Sequence, residues 1–452
     1  MLRNGIDEYH DLLTDDVAGE SQRHLDAQLR ARGLYFGDRP LCSVLRPRFL
    51  SPQQYRFLQQ RAGVVLRAFR KAHEAALEND AILDQFGLLD WERQLAHIDP
   101  GFRDASPVSR LDAFFVAEAG GMRFTEYNAE TPAGGAYNDV LTEVFFGLPV
   151  MRQFLRRWDV RPLPARHNVL HALLDAYEQF SGRQDLPRIA IVDWSNVPTR
   201  SEFVLFQDYF ERQGLECVIV DPAEVEYDGK RLCGGGGRID LVYKRVLLTE
   251  LVERGGLDHP ILRAVRDHNV CMVNPPSCKI LHKKASLAVL HDERNAHLFD
   301  AEELQAINAS IPWTRVVAER TTTVAGNEVD LLPYIARNRD QLVLKPNDEY
   351  GGKGIVLGWE VDDAAWTKAI ATAVAEPYIV QQRIGLPTEA YPSFVDGKVV
   401  ITDRMVDTAP YVAYGDHVDG CLTRLATAAL LNVTAGGGSQ TPTFIAERRP
   451  NQ

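Results

Sequence analysis

Cysteines at metal-ligand spacing are missing from this sequence. The six cysteines, at Cys42, Cys217, Cys233, Cys271, Cys278 and Cys421, form no CxxC pair. That excludes a zinc ribbon and a dithiol redox motif, and leaves reduced, mostly buried thiols as the expectation. No apolar run approaches the ~20 residues that cross a bilayer. The opening Met1-Leu2-Arg3-Asn4-Gly5-Ile6-Asp7-Glu8 is polar and acidic, unlike a signal peptide. A cytoplasmic protein without a membrane partner is therefore expected. Positive charge is also scarce, with 50 Lys and Arg against 62 Asp and Glu and a net charge of −12. Nonspecific nucleic-acid binding needs clustered positive charge, so no nucleic-acid partner is expected. A small basic pocket is still allowed. Walker loops, GxSxG elbows and HExxH pairs are absent. His167 and His171 lie one helical turn apart but lack the intervening Glu of a zinc protease, and read as a solvated helix face. There is no internal repeat.

What is present is the balance of a folded protein, 45% apolar and 25% charged over 452 residues, enough for two or three lobes. Residues 1–95 read as a helical segment. Ser51-Pro52 opens a long amphipathic helix that runs to Glu78. Residues 96–180 begin with two apolar-rich strands around Ala119-Gly120-Gly121, a hairpin, and continue as helices. Residues 181–275 alternate short buried strands with helices, which implies a mostly parallel sheet with ligands at its carboxyl ends. The loops after Asp193 and Tyr243, with Lys244 and Arg245, are placed there. Asp193-Trp194-Ser195-Asn196 is a candidate substrate loop, and Thr199 with Glu202 reads equally as a helix cap. Residues 276–385 contain a strand, a glycine loop and a second strand, and residues 386–452 add hairpin-like strands.

The most informative string is Leu342-Val343-Leu344-Lys345-Pro346-Asn347-Asp348-Glu349-Tyr350-Gly351-Gly352-Lys353-Gly354-Ile355. A strand delivers one lysine, and a loop with three glycines then turns back. Glycines let main-chain N–H groups approach phosphate oxygens, and lysine is a point charge suited to them. An ordinary β-turn would also accommodate such a string. Upstream stand Asn274-Pro275-Pro276-Ser277, Lys283-Lys284 and Ile311-Pro312-Trp313-Thr314. Downstream stands Tyr378-Ile379-Val380-Gln381-Gln382-Arg383-Ile384. Together these resemble the ATP-grasp superfamily. The resemblance implies that Lys284, Lys345, Gly351, Gly352, Lys353, Gly354, Gln381, Gln382 and Ile384 hold ATP, with Lys279 and Lys283 as alternatives to Lys284. The family often has Glu where Gln382 stands, a departure that bears on base specificity.

The acidic metal ligands of that family do not follow the glycine loop; they precede it. Ser109-Arg110-Leu111-Asp112 and Thr125-Glu126-Tyr127-Asn128-Ala129-Glu130-Thr131-Pro132-Ala133-Gly134 resemble its Arg-x-Asp and Glu-x-Asn strands. Glu126 and Asn128 are two apart on a strand and share a face, and the adjacent strand brings Asp112 within reach. Such hard oxygen donors suit Mg²⁺. An acidic edge hairpin facing solvent would show the same alternation. Metal half first and nucleotide half second is a circular permutation. It resembles the synthetase domain of glutathionylspermidine synthase and the wider permuted group. The resemblance implies an α/β (α+β) fold, a permuted ATP-grasp with a Rossmann-like pre-ATP lobe and a helical amino-terminal segment. It also implies an ATP- and Mg²⁺-dependent carboxylate–amine ligase, passing through an acyl phosphate, with small-molecule acid and amine substrates. Arg110 and Lys345 would stabilise the transferring phosphoryl group and Arg404 the tetrahedral intermediate, a surface salt bridge being the other account of Arg404. Asn432 with Gly436-Gly437-Gly438 is a further candidate loop. A kinase-like phosphotransferase and a non-catalytic nucleotide-binding protein are the alternatives, and a homo-oligomer is left open.

Overall fold

A capped start and apolar residues at helical spacing make the long helix Pro52–Glu78. Ser51 accepts the Gln54 N–H, Gln54 reaches back to the Ser51 N–H, and Pro52 takes the first turn. The inner face, including Tyr55, Leu58, Val65 and Phe69, is fully buried, each large side chain contributing about 1.5–3 kcal/mol. The structure, a computed structural model, describes residues 2–116, 121–349, 351–427 and 438–450. The expected turn at Ala119-Gly120, Tyr350 of the glycine loop, and Asn432, Gly436 and Gly437 lie outside the described residues.

The amino-terminal segment is not wholly helical. It also supplies β1 (Arg48–Leu50), three buried residues too few to show a strand period in sequence. Strands β2 (Val108–Val116) and β3 (Gly121–Asn128) form the expected hairpin. Next comes β4 (Trp158–Pro162), within a stretch that reads as helix from composition. The next four strands are β5 (Ile189–Val192), β6 (Cys217–Val220), β7 (Leu241–Lys244) and β8 (Cys271–Val273). They pair in parallel in the order β8-β7-β5-β6, with helices as crossovers.

The nucleotide-type half is a four-stranded antiparallel sheet. It contains β9 (Thr314–Val316), β10 (Leu342–Pro346), β11 (Val356–Leu357) and β12 (Tyr378–Gln382), ordered β9-β12-β10-β11. The chain then adds β13 (Thr388–Val395), β14 (Lys398–Val406), β15 (Ala409–Ala413), β16 (His417–Ala426) and β17 (Ser439–Arg448). These complete a nine-stranded sheet along the path β13-β14-β16-β15-β2-β3, with β17 pairing β16, β1 and β4. Strands from residues 108–128 and from residues 388–448 thus share one sheet, which is how a permuted chain closes a single core. Among the described residues no helix is long and apolar enough to cross a membrane.

Buried polar clamps join the lobes. The Asn274 amide donates to the Val108 and Ala129 carbonyls at 2.6 and 2.9 Å. Glu130, fully buried, meets Lys244 at 3.1 Å and Lys279 at 3.2 Å. Burial would raise its carboxyl, but Lys244, Lys279 and His282 hold it well below the usual range. Breaking such a pair leaves an unpaired buried charge, the expensive case.

Two histidines in this interior set an acid limit. Burial pushes both His73 and His282 down to about 4. Between pH 6.5 and 4 the unfolded chain takes up a proton at each site and the fold does not, so stability falls as pH falls. Each is expected to remove about 2 kcal/mol between pH 7 and pH 5. Urea titrations at the two pH values check this: His73→Gln should flatten the pH slope, whatever its effect at pH 7.

Candidate active site

The hairpin β2–β3 sets the first half of the site. Its register pairs Arg110 with Asn128 and Asp112 with Glu126, so all four side chains share one face. A bulge follows, because Ala113 pairs with Phe124 and leaves Thr125 unpaired. The Thr125 carbonyl accepts Lys345 Nζ at 3.3 Å, a direct bond between the two halves of the site. Asp112 is gripped by Arg110 Nε at 2.7 Å and Arg424 Nη2 at 2.7 Å. Burial would raise its carboxyl, but the two guanidinium groups hold it far below the usual range. Glu126 lies 3.1 Å from Lys284 Nζ. Against burial, Lys284 and Lys345 together keep it ionised.

Strand β10 delivers Lys345 from the opposite sheet. Its Nζ donates to Gln381 Oε1 at 2.7 Å, and Gln381 Nε2 donates to Thr314 Oγ1 at 3.0 Å. Lys345 is thereby placed by β12 and by the Ile311-Pro312-Trp313-Thr314 junction. Burial pulls its ammonium down to about 8, with Glu126 opposing and Lys284 adding to the shift.

After β10 the chain enters the glycine loop. Gly351, Gly352 and Gly354 all have positive φ, at 68°, 80° and 72°. At Gly354 a Cβ would lie 2.7 Å from Pro346 Cγ, so this position is closed to any other residue. Lys353 is exposed and pairs with Glu349 at 3.2 Å, on the outside of the loop. Of the three candidate lysines, Lys284 reaches both Glu126 and the Glu349 carbonyl, the latter at 2.6 Å. Lys279 and Lys283 are instead held by Asp348, at 2.8 and 3.0 Å, within the buried ionic cluster.

A cleft lies between the two sheets. Val343, Ile355, Leu357 and Ile384 line the part built by the four-stranded sheet. Asp112, Glu126, Asp407 and Arg424 line the part built by the nine-stranded sheet, with Lys345, Gly351, Gly352, Gln381 and Gln382 between. The Gln382 main-chain N–H is committed to the Trp313 carbonyl at 2.8 Å.

Arg404 is placed outside the cleft. It is absent from the cleft lining. Met405 of β14 pairs with Ala426 of β16, so the pleat puts Arg404 and Arg424 on opposite faces, and Arg424 is the one that faces the site. Arg404 stands across from Glu389, whose carboxylate is taken by Arg46 at 3.2 Å and Arg48 at 3.1 Å on the far side. The arginine brought to the cleft is Arg424, which bridges Asp112 and Asp407, the latter at 2.5 Å. Its one sequence signal is the alternation Leu422, Arg424, Ala426 along β16.

Glu202 does not cap its own helix. Its carboxylate instead accepts the N–H groups of Gly134 at 2.7 Å and Ala136 at 3.2 Å, opening the helix Gly135–Gly147. Lys244 and Arg245 likewise look inward, Arg245 donating to the Pro132 carbonyl at 2.5 Å. These residues hold the segment that follows Asn128 in place.

The donor set suits a magnesium ion. Asp112, Glu126 and Asn128 offer hard oxygens on one face, and Mg²⁺ keeps waters and phosphate oxygens for its remaining positions. Among the described residues no group of three or more His, Cys, Asp or Glu could hold a metal alone.

Over residues 89–426 the sequence matches the family described as circularly permuted ATP-grasp type 2. A Frankia alni protein provisionally named glutamate–cysteine ligase 2-3 is 26% identical over 474 residues, covering 96% of this chain and 51% of that protein. A Frankia casuarinae protein provisionally named glutamate–cysteine ligase 2-2 is 26% identical over 467 residues, covering 94% and 50%. The chain thus spans about half the length of the curated relatives it matches. Among solved structures, an apo glutathione synthetase-like effector from Globodera pallida superposes with a TM-score of 0.63 at 11% identity. The match covers 96% of this chain and 99% of that one, a likeness of fold.

Proposed function

Because the chain belongs to the circularly permuted ATP-grasp type 2 family, we propose that it is an ATP-dependent ligase joining a carboxylate to an amine. The observation that carries the proposal is the meeting of Lys345 with the Asp112–Glu126 pair across one cleft. A cation from one sheet and oxygen donors from the other suit a triphosphate bound between them.

In this mechanism Lys345 and Lys284 hold the phosphates, and the Gly351–Gly354 loop covers them and excludes water. Mg²⁺ on Asp112, Glu126 and Asn128 would supply charge neutralisation at the transferring phosphoryl group. Arg110 and Arg424 orient the donor carboxylate. One of its oxygens attacks the γ-phosphorus, ADP departs, and an acyl phosphate forms. The amine then attacks the acyl carbon, inorganic phosphate departs, and the amine loses a proton. Arg424 is the group we assign to the charged tetrahedral intermediate.

The Glu126-Tyr127-Asn128-Ala129-Glu130-Thr131-Pro132 segment supports the glutathionylspermidine synthase-like branch, hence a peptide, amino acid or polyamine as substrate. The Frankia names belong to proteins about twice this length, so glutamate and cysteine enter as members of a test panel. The unpaired cysteines among the described residues accord with a cytoplasmic setting. Paired panels of acids and amines with Mg·ATP test the proposal. Phosphate release that requires both partners, with one amide per phosphate by mass spectrometry, is the expected result. Phosphate retained on a single acceptor would make the protein a phosphotransferase and sink the ligase assignment.

A further inference from the structure

Trp359 and Arg383 line the cleft, yet the chemistry above gives them no task. Trp359 lies in the turn Gly358–Glu360 that follows β11, and Arg383 directly follows β12. The guanidinium carbon of Arg383 sits 4.1 Å from the centre of the Trp359 ring, a face-on stack. Arg424, the other arginine of the cleft, has ionic partners in Asp112 and Asp407. Arg383 has no ion pair among the described residues; its one side-chain hydrogen bond is a long 3.4 Å contact to the Asp340 carbonyl. The stack on Trp359 is therefore its main engagement, and such a stack is exchangeable.

Two main-chain donors nearby are already engaged. The N–H groups of Gln382 and Arg383 are donated to the carbonyls of Trp313 and Gln341, at 2.8 and 2.7 Å. The rest of this part of the cleft is aliphatic, with Val343, Leu357 and Ile384. A planar ligand entering it finds one apolar floor and one aromatic–guanidinium pair. We propose that Trp359 and Arg383 form a stacking cap over the base of the bound nucleotide, with Arg383 exchanging the indole for the base on binding. The exchange is permissive because a guanidinium plane stacks on a purine as it does on an indole. The cap reads a π face and no hydrogen-bonding edge, so it contributes affinity without choosing between purines. This rests on the nucleotide assignment above.

Tryptophan fluorescence and calorimetry with two probes, ATP and inorganic tripolyphosphate, test the cap on the full chain. ATP is expected to change the emission of the wild type, and Trp359→Phe should abolish most of that change. Tripolyphosphate, which has no base, should displace ATP without the emission change. Arg383→Ala should weaken ATP by about 3- to 30-fold and leave tripolyphosphate within twofold. GTP should give the same emission change as ATP. Calorimetric ATP binding with an emission change that survives Trp359→Phe, or an equal loss of ATP and tripolyphosphate in Arg383→Ala, overturns the cap alone. Absence of any ATP or tripolyphosphate binding overturns the nucleotide assignment and the cap with it.

Discussion

Lys345→Ala lowers Mg·ATP-dependent turnover by a factor of about 10² to 10³, the usual cost of losing one preorganised charge at a site of transferring charge. The fold should survive, because burial already depresses this ammonium to about 8 and so its charged form opposes folding. Removing it relieves that cost and leaves Glu126 with Lys284 at 3.1 Å. Lys345→Arg should not restore activity, since Gln381 Oε1 at 2.7 Å and the Thr125 carbonyl at 3.3 Å fix a compact donor in that space. The pH dependence has a definite sign. Below pH 8 Lys345 is already protonated and ATP binding needs no proton uptake. Above pH 8 a proton must be taken up, so ATP affinity weakens with rising pH in the wild type and stays flatter in Lys345→Ala. Circular dichroism with steady-state assays from pH 6.5 to 9.5 checks both statements.

Arg424→Ala should cost about 10²-fold in turnover, while Arg404→Ala stays within about twofold. The contrast follows from strand geometry alone. Arg424 donates to Asp112 and Asp407 inside the cleft, and its loss leaves Asp407 without a guanidinium and Asp112 with Arg110 alone. Arg404, across from Glu389 on the other face of the same sheet, reaches neither. A substantial loss in Arg404→Ala with little change in Arg424→Ala would reverse the assignment. Thermal melts of both variants separate a catalytic loss from a folding defect.

Much of this was legible in the residues. Lys345 with the glycine loop, and Asp112 with Glu126 and Asn128, are local patterns in which two-residue spacing on a strand already determines the shared face. The hairpin β2–β3, the parallel sheet and the capped helix Pro52–Glu78 follow from periodicity and turn chemistry in the same way. Arg424 was not legible. Its partner Asp112 is 312 residues away, and their meeting depends on a strand order that no local pattern encodes. The position of Arg404 is not legible either: its neighbourhood, Thr402-Asp403-Arg404-Met405, is right in composition, and the pleat parity that turns it from the cleft needs the register of β14 with β16. Strand β1 was hidden by its length, its three residues gaining their partners only when β17 arrives from the other end of the chain.

A structure with Mg²⁺ and a non-hydrolysable ATP analogue tests the central claim most directly. The prediction is a triphosphate lying between the two sheets, with Lys345 on its phosphates and the metal on Asp112, Glu126 and Asn128. An analogue bound elsewhere, or bound in this cleft with its phosphates turned away from Lys345 and the metal away from Glu126, would contradict it.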